Sequence, residues 1–197
     1  MKTLVLTLLS FAAIALVSHT EATASEICTT SVVSVPDGNG GCCDVTVDYC
    51  YEMVGGVFTV RYGTVKFNPP QCEILMGPGL FNWLDKKIVY ILNQQGAFNE
   101  TIPNCPQTTT LLVETSHHSC YKLEYIPPGS NYHVYNPCGE TYCVRRCTVC
   151  MNTSETDACN NNVPMLNYVG CINTYVPCVD HGGGGPGGCN VNTCSSN

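Results

Sequence analysis

The sequence predicts a mainly β, disulfide-rich domain, α+β at the margin: an antiparallel sheet or sandwich-like body with one helix and an irregular Cys-rich C-terminal extension. Three observations carry this. Sixteen cysteines occur in 197 residues, every one after residue 24. Several segments alternate apolar and polar residues with the period of a strand, and one segment has the period of a helix. Beyond residue 152 the pattern gives way to Asn, Gly, Pro and Cys.

Residues 1–24 read as a secretory signal peptide. Lys2 supplies a positive start, Leu4 to Val17 an apolar core, and Ala22-Thr23-Ala24 a cleavage site before Ser25. The apolar core is shorter than the roughly 20 residues a bilayer span needs. No later segment is long and apolar enough, so no membrane span is expected after leader removal and the product is expected to be secreted or held at the cell surface. The mature chain then divides into a disulfide-stabilised β-rich domain, 25–151, and an extension, 152–197, pinned by disulfides.

The first strand pair is legible residue by residue. Thr29 to Val35 favours β structure, and Pro36-Asp37-Gly38-Asn39-Gly40-Gly41 is dense turn chemistry. From Cys43 to Met53 the odd positions are apolar or aromatic and the even ones mostly polar, which is a half-buried strand returning as a hairpin. Gly55-Gly56 turns the chain into Val57 to Phe67. There Phe58, Val60 and Tyr62 share one parity and Val65 and Phe67 the other, so a bulge or bend is expected at Gly63.

Leu84, Ile88, Ile91 and Leu92 recur at helical spacing and predict a helix from Trp83 to Gln95, capped by Asn82, with Asp85 in the first turn and Gly96 at the end. Asn99 to Pro106 reads as a loop. Thr108 to Thr115, Ser119 to Tyr125, Tyr132 to Tyr135 and Thr141 to Met151 read as further strands.

An even cysteine count in an exported chain predicts a disulfide framework. The candidates are Cys28, Cys42, Cys43, Cys50, Cys72, Cys105, Cys120, Cys138, Cys143, Cys147, Cys150, Cys159, Cys171, Cys178, Cys189 and Cys194. Connectivity stays open, but geometry refuses some pairs. Cys42 and Cys50 in one strand would lie roughly 26 Å apart, beyond the reach of a disulfide. Cys42 and Cys43 point to opposite faces and are expected to take separate partners.

Cys143-x-x-x-Cys147-x-x-Cys150 resembles the cluster-binding signature of radical S-adenosylmethionine enzymes, a resemblance of eight residues that would imply an iron–sulfur cluster. Val149 departs from that signature, and a secretory leader and thirteen other cysteines argue for disulfides instead. Zinc is the other metal reading, with Cys147 and Cys150 completed by Cys138, Cys143 or Cys159. In an extended segment Cys143 and Cys147 stand roughly 13 Å apart, too far to share one ion. No metal and no cofactor is therefore predicted.

Asp44, Asp48 and Glu52 on one strand face suggest a solvated acidic surface, and Asp37 to Gly41 a turn rather than a calcium loop. His117 and His118 face opposite ways in a strand; with His133 and His181 they read as loop or surface residues. No nucleophile elbow, zinc-protease helix, phosphate loop or dinucleotide glycine pattern occurs, so no catalytic or cofactor-binding residue is assigned. Asn99-Glu100-Thr101 and Asn152-Thr153-Ser154 are glycosylation sequons that mark exposed segments. Gly182 to Gly188 reads as a flexible spacer.

Charge sharpens the exclusions. Charged residues make up 12 % of the chain and the net charge is −7, with the basic residues scattered singly or in pairs. Nucleic acid, which requires a clustered basic face, is not an expected partner. Eleven tyrosines and low charge suit a surface that meets an extracellular protein or glycan, or that self-assembles. The expected function is a secreted structural or binding (adhesion or surface) protein without catalytic activity. The alternatives are a small secreted hydrolase and an extracellular metal-binding protein using Cys and His ligands.

Overall fold

A computed structural model describes residues 25–68, 77–125, 133–176, 191–192 and 194. The leader, Cys72, Cys178, Cys189, His181 and the 182–188 spacer lie outside the described residues. The architecture is mainly β, as expected: one curled sheet and one helix. The strands are β1 Ile27–Pro36, β2 Cys42–Val54, β3 Val57–Asn68, β4 Leu112–Tyr125, β5 His133–Asp157, β6 Asn160–Thr174 and the short β7 Val191–Asn192; the helix α1 is Pro78–Gln94. The order across the sheet is β1-β2-β3-β4-β5-β6, with β7 on β4. All neighbours are antiparallel except β3 and β4, which run parallel because α1 carries the chain between them.

The β1–β2 hairpin closes through Asp37. Its Oδ1 accepts the N–H groups of Asn39 and Gly41, each at 2.8 Å, so the acidic residue in this loop caps a turn. Gly55 and Gly56 both have positive φ and form the tight link to β3. The expected irregularity at Gly63 is present. Val47 pairs with Val65 and Tyr49 with Tyr62, so Asp48 alone stands opposite Gly63 and Thr64. That extra residue on β3 changes which parity faces inward, burying Phe58, Val60 and Tyr62 before it and Val65 and Phe67 after it.

The helix begins five residues earlier than its periodicity suggests. Pro78 occupies its first turn and Gly77 its N-cap, so Asn82 and Asp85 lie inside it, not at its cap. Leu80 and Phe81 bury with Leu84, Ile88 and Leu92, which extends the apolar stripe backward and makes the extra turn favourable. Burial of a side chain such as Leu84 contributes roughly 2 kcal/mol. At the far end, the N–H groups of Gly96 and Ala97 reach the carbonyls of Asn93 and Leu92, and Gly96 takes the left-handed conformation this closure needs.

Four expected strand segments merge into two. Thr108 to Leu111 stays outside the ladder, while the rest of that segment and Ser119–Tyr125 are one strand, β4. Tyr132 lies outside the described residues; His133 to Tyr135 and the 141–151 segment belong to one strand, β5. Gly139, with φ 78°, sits in the irregularity where β5 carries the surplus residues between the pairs Cys120–Cys138 and His118–Tyr142. A glycine that reads as a break in sequence is thus absorbed as a bulge.

β6 occupies the stretch for which the sequence predicts nothing regular, and β5 runs through the 151/152 position. Met165 and Leu166 are the buried apolar residues of β6, and its backbone ladder to β5 supplies the order. Gly170, φ 63°, forms a bulge opposite Cys147, where Arg146 pairs with Ile172 and Thr148 with Val169.

The register shows how far the sheet curls. Through the row Val54–Val57–Leu112 and on to Val169, Cys42 lies about twelve residues to one side and Cys159 about eleven to the other. On a flat sheet they would be roughly 70 Å apart, yet they form a disulfide with a Cα separation of 5.7 Å. The strands must therefore tilt and coil toward closure. The helix fills the inside of the curl, touching both edge strands β1 and β6.

Candidate functional site

The cysteine chemistry settles first. Cys28 bonds Cys50 across directly paired β1 and β2, and Cys105 bonds Cys150, tying the loop after α1 to β5. Cys143 bonds Cys194, and Cys147 bonds Cys171 across β5 and β6. Cys43, Cys120 and Cys138 are also disulfide-bonded. Each cysteine of the 143–150 motif thus has a separate sulfur partner, and no free cysteine occurs among the described residues. Two groups of ligand-type side chains converge there, His117 with Cys143 and Cys194, and Glu26 with Cys28 and Cys50. In each group two members share a disulfide, so neither offers the thiolates that a soft metal requires.

The other sequence candidates disperse. Asp48 accepts from Thr30 Oγ1 at 2.6 Å, Glu52 accepts from Arg61 at 2.7 Å, and Asp44 accepts from Ser34; the acidic face is a set of cross-strand pairs. The His117 ring stacks on Phe81 with centroids 3.8 Å apart, whereas His118 lies against Tyr142 and its Nδ1 meets the Gly139 carbonyl at 3.1 Å. Burial lowers the His118 pKa, partly offset by that carbonyl. Asn99 is exposed; Asn152 is half-buried in β5, its Oδ1 accepting from Ser154 N–H at 3.1 Å.

Three side-chain arrangements were not legible in the sequence. Beneath α1, Arg145 donates from Nη1 to Asp85 Oδ2 at 3.2 Å and from Nη2 to Asn82 Oδ1. Asp85 is 4 % exposed. Burial lifts its carboxyl to about 6, against the opposing pull of Arg145 and of Thr115 and Tyr62 hydroxyls. The hydroxyls of Tyr62 and Tyr168 are pushed well above the usual tyrosine range, first by burial and then by the Asp85 charge. Asp85 and Tyr62 are closed inside the fold, whereas Arg145 and Tyr168 are half-buried. A second pair, Lys87 with Asp157, joins α1 to the end of β5.

The third arrangement opens to solvent. On the outer surface at the Gly63 bulge, a groove of about 510 Å³ is lined by Glu26, Thr30, Asp48, Arg61, His118 and Tyr142, with the Cys28–Cys50 bridge along one side. The bulge shapes it, because Gly63 presents no side chain opposite Asp48. Arg61 is braced between Glu26 and Glu52, and Tyr142 is 41 % exposed with its ring against His118. The groove therefore combines carboxylate acceptors, a held guanidinium and an aromatic face. Its only early signal is the parity switch at Gly63; the approach of His118 and Tyr142 depends on strands far apart in sequence.

These features define a disulfide-rich, mainly β protein with an open polar groove, the composition of a protein suited to an oxidising, extracellular setting. No protein-family model matches the chain, and no curated protein or solved structure matches it either.

Proposed function

We propose that this is a secreted, non-catalytic binding protein of the extracellular space or cell surface, and that the groove at the Gly63 bulge takes a polar, largely uncharged ligand such as a glycan. The groove itself carries the reading. Hydroxyl-rich ligands are held by fixed carboxylate and guanidinium hydrogen bonds plus an aromatic face, and each is present there. Arg61 is neutralised by Glu26 and Glu52, which disfavours a strongly anionic ligand. The carboxyl with the raised pKa, Asp85, is buried and does not line the groove, which favours binding over turnover.

Titration of the oxidised protein with neutral and acidic oligosaccharides, followed by backbone NMR shifts, tests the proposal. Neutral glycans are expected to shift residues around Asp48, Gly63 and Tyr142, and Tyr142→Ala to weaken binding by about fivefold, the loss of one stacking contact of about 1 kcal/mol. Absence of saturable shifts, or binding indifferent to both Tyr142→Ala and Asp48→Asn, overturns it.

A further inference from the structure

We propose that Lys87 and Asp157 condense into an intramolecular amide, a covalent strut between α1 and the end of β5. The two side chains touch, Lys87 Nζ against Asp157 Oδ2, and both are sheltered, with 12 % and 3 % of their side chains exposed. Among the ion pairs of the described residues this is the sheltered one that contains a primary amine. The pairs of Arg61, Arg145 and Arg146 use guanidinium groups, which are poor nucleophiles, and Lys122 meets Glu124 in the open.

The surroundings favour the neutral reactants. A cleft of about 250 Å³, open to solvent on one side, adjoins the pair; Val33, Tyr90, Ile91 and Val163 form its apolar wall and Ser34 and Asn160 its polar edge. Apolar walls penalise the separated charges of an ammonium and a carboxylate. Burial alone lowers the Lys87 amine to about 8, so the proton-free form is accessible near neutrality. Asp157 Oδ1 accepts the Cys159 N–H at 2.8 Å, a donor placed to hold negative charge that develops on that oxygen.

The reaction balances without any co-reactant. A proton passes from Lys87 Nζ to Asp157 Oδ2, giving an amine and a carboxylic acid. The nitrogen lone pair then attacks Cγ, forming the N–C bond while Cys159 N–H stabilises Oδ1. The Cγ–Oδ2 bond breaks as Oδ2 takes a second proton from nitrogen and leaves as water, which the adjoining cleft can receive. One positive and one negative charge disappear together. The strut lies beside the Cys42–Cys159 bridge, where the ends of the curled sheet meet.

Intact mass of the folded, oxidised chain, measured after full reduction and alkylation in denaturant, tests this. The chain is expected to be lighter than its sequence by one water, with trypsin failing to cut after Lys87 and a branched peptide joining the Lys87 and Asp157 segments. Lys87→Arg is expected to restore the full mass. A wild-type chain of full mass, with Lys87 open to an amine-acylating reagent, overturns the proposal. So does a missing water that maps to Asp37-Gly38 as a cyclic imide, or one that persists in Lys87→Arg. The wild-type measurement decides even where the variant does not fold.

Discussion

Arg145 of β5 and Asp85 of α1 meet beneath the helix, Nη1 to Oδ2 at 3.2 Å, and fix the helix to the concave face of the sheet through charge as well as packing. The sparse charge of the chain is thus used partly inside the fold. Among the described residues five basic side chains form ion pairs, and two of those pairs, Arg145–Asp85 and Lys87–Asp157, are the more sheltered. Exposed pairs such as Arg61–Glu26 add little by comparison.

The Asp85 carboxyl sets a pH dependence. Its folded pKa, about 6, lies above the ordinary value of 3.8, so the folded state holds the proton more tightly than the unfolded chain. The stability this contributes is complete below about pH 4 and is lost as pH rises through about 6, a fall of about 3 kcal/mol. Urea unfolding at closely spaced pH values should show that decline, and Asp85→Asn should flatten it. Arg145→Met, which leaves the carboxyl without its cation, should cost about 3–5 kcal/mol at pH 7 and less at pH 4.

The bridges should rank by the loop each closes. Cys42–Cys159 spans 117 residues and Cys28–Cys50 spans 22. Loop entropy alone assigns about 5 and about 3 kcal/mol. Replacing both cysteines of each pair by serine and comparing unfolding midpoints should give the larger loss for the longer loop. An equal or reversed order would show that the curled sheet closes without the Cys42–Cys159 tie.

Two glycines should respond in opposite directions. Gly170 has φ 63° in the β6 bulge, so Gly170→Ala should destabilise by about 1–2 kcal/mol even though its added methyl meets no neighbour. Gly79 lies in the first turn of α1 with ordinary φ and open space, so Gly79→Ala should stabilise by about 0.5–1 kcal/mol. Thermal melts of the two variants check both signs.

Of the two sequons, Asn99 is the proposed acceptor. It stands exposed in the loop after α1, whereas Asn152 is half-buried within the β5–β6 ladder and its amide oxygen is engaged. Expression in a glycosylating host should give one glycan, removed by Asn99→Gln and unaffected by Asn152→Gln.

Much of the fold was legible where local chemistry dominates. The β1–β2 hairpin follows from Asp37 and its glycines, and the change of inward parity at Gly63 marks the bulge that shapes the groove. Cys143 and Cys147 were too far apart in an extended chain to share an ion, and they bond Cys194 and Cys171. The rest depends on distant pairings. β6 has two buried apolar residues and many asparagines, so its order comes from β5 and the Cys147–Cys171 bridge. Asp85 reads as a helix-dipole residue until Pro78 moves the helix start and Arg145 arrives from β5. His118 and Tyr142 reach the groove only because α1 brings β4 alongside β3.

Thiol counting tests the central claim, that sulfur here is permanent covalent scaffolding. Protein taken from its native compartment, unfolded without reductant and treated with an alkylating reagent, should take up no label and should yield peptides joined as Cys28–Cys50, Cys42–Cys159, Cys105–Cys150 and Cys147–Cys171. Labelling of several cysteines, above all Cys143, Cys147 and Cys150 together, or a stoichiometric metal released on unfolding, would contradict it.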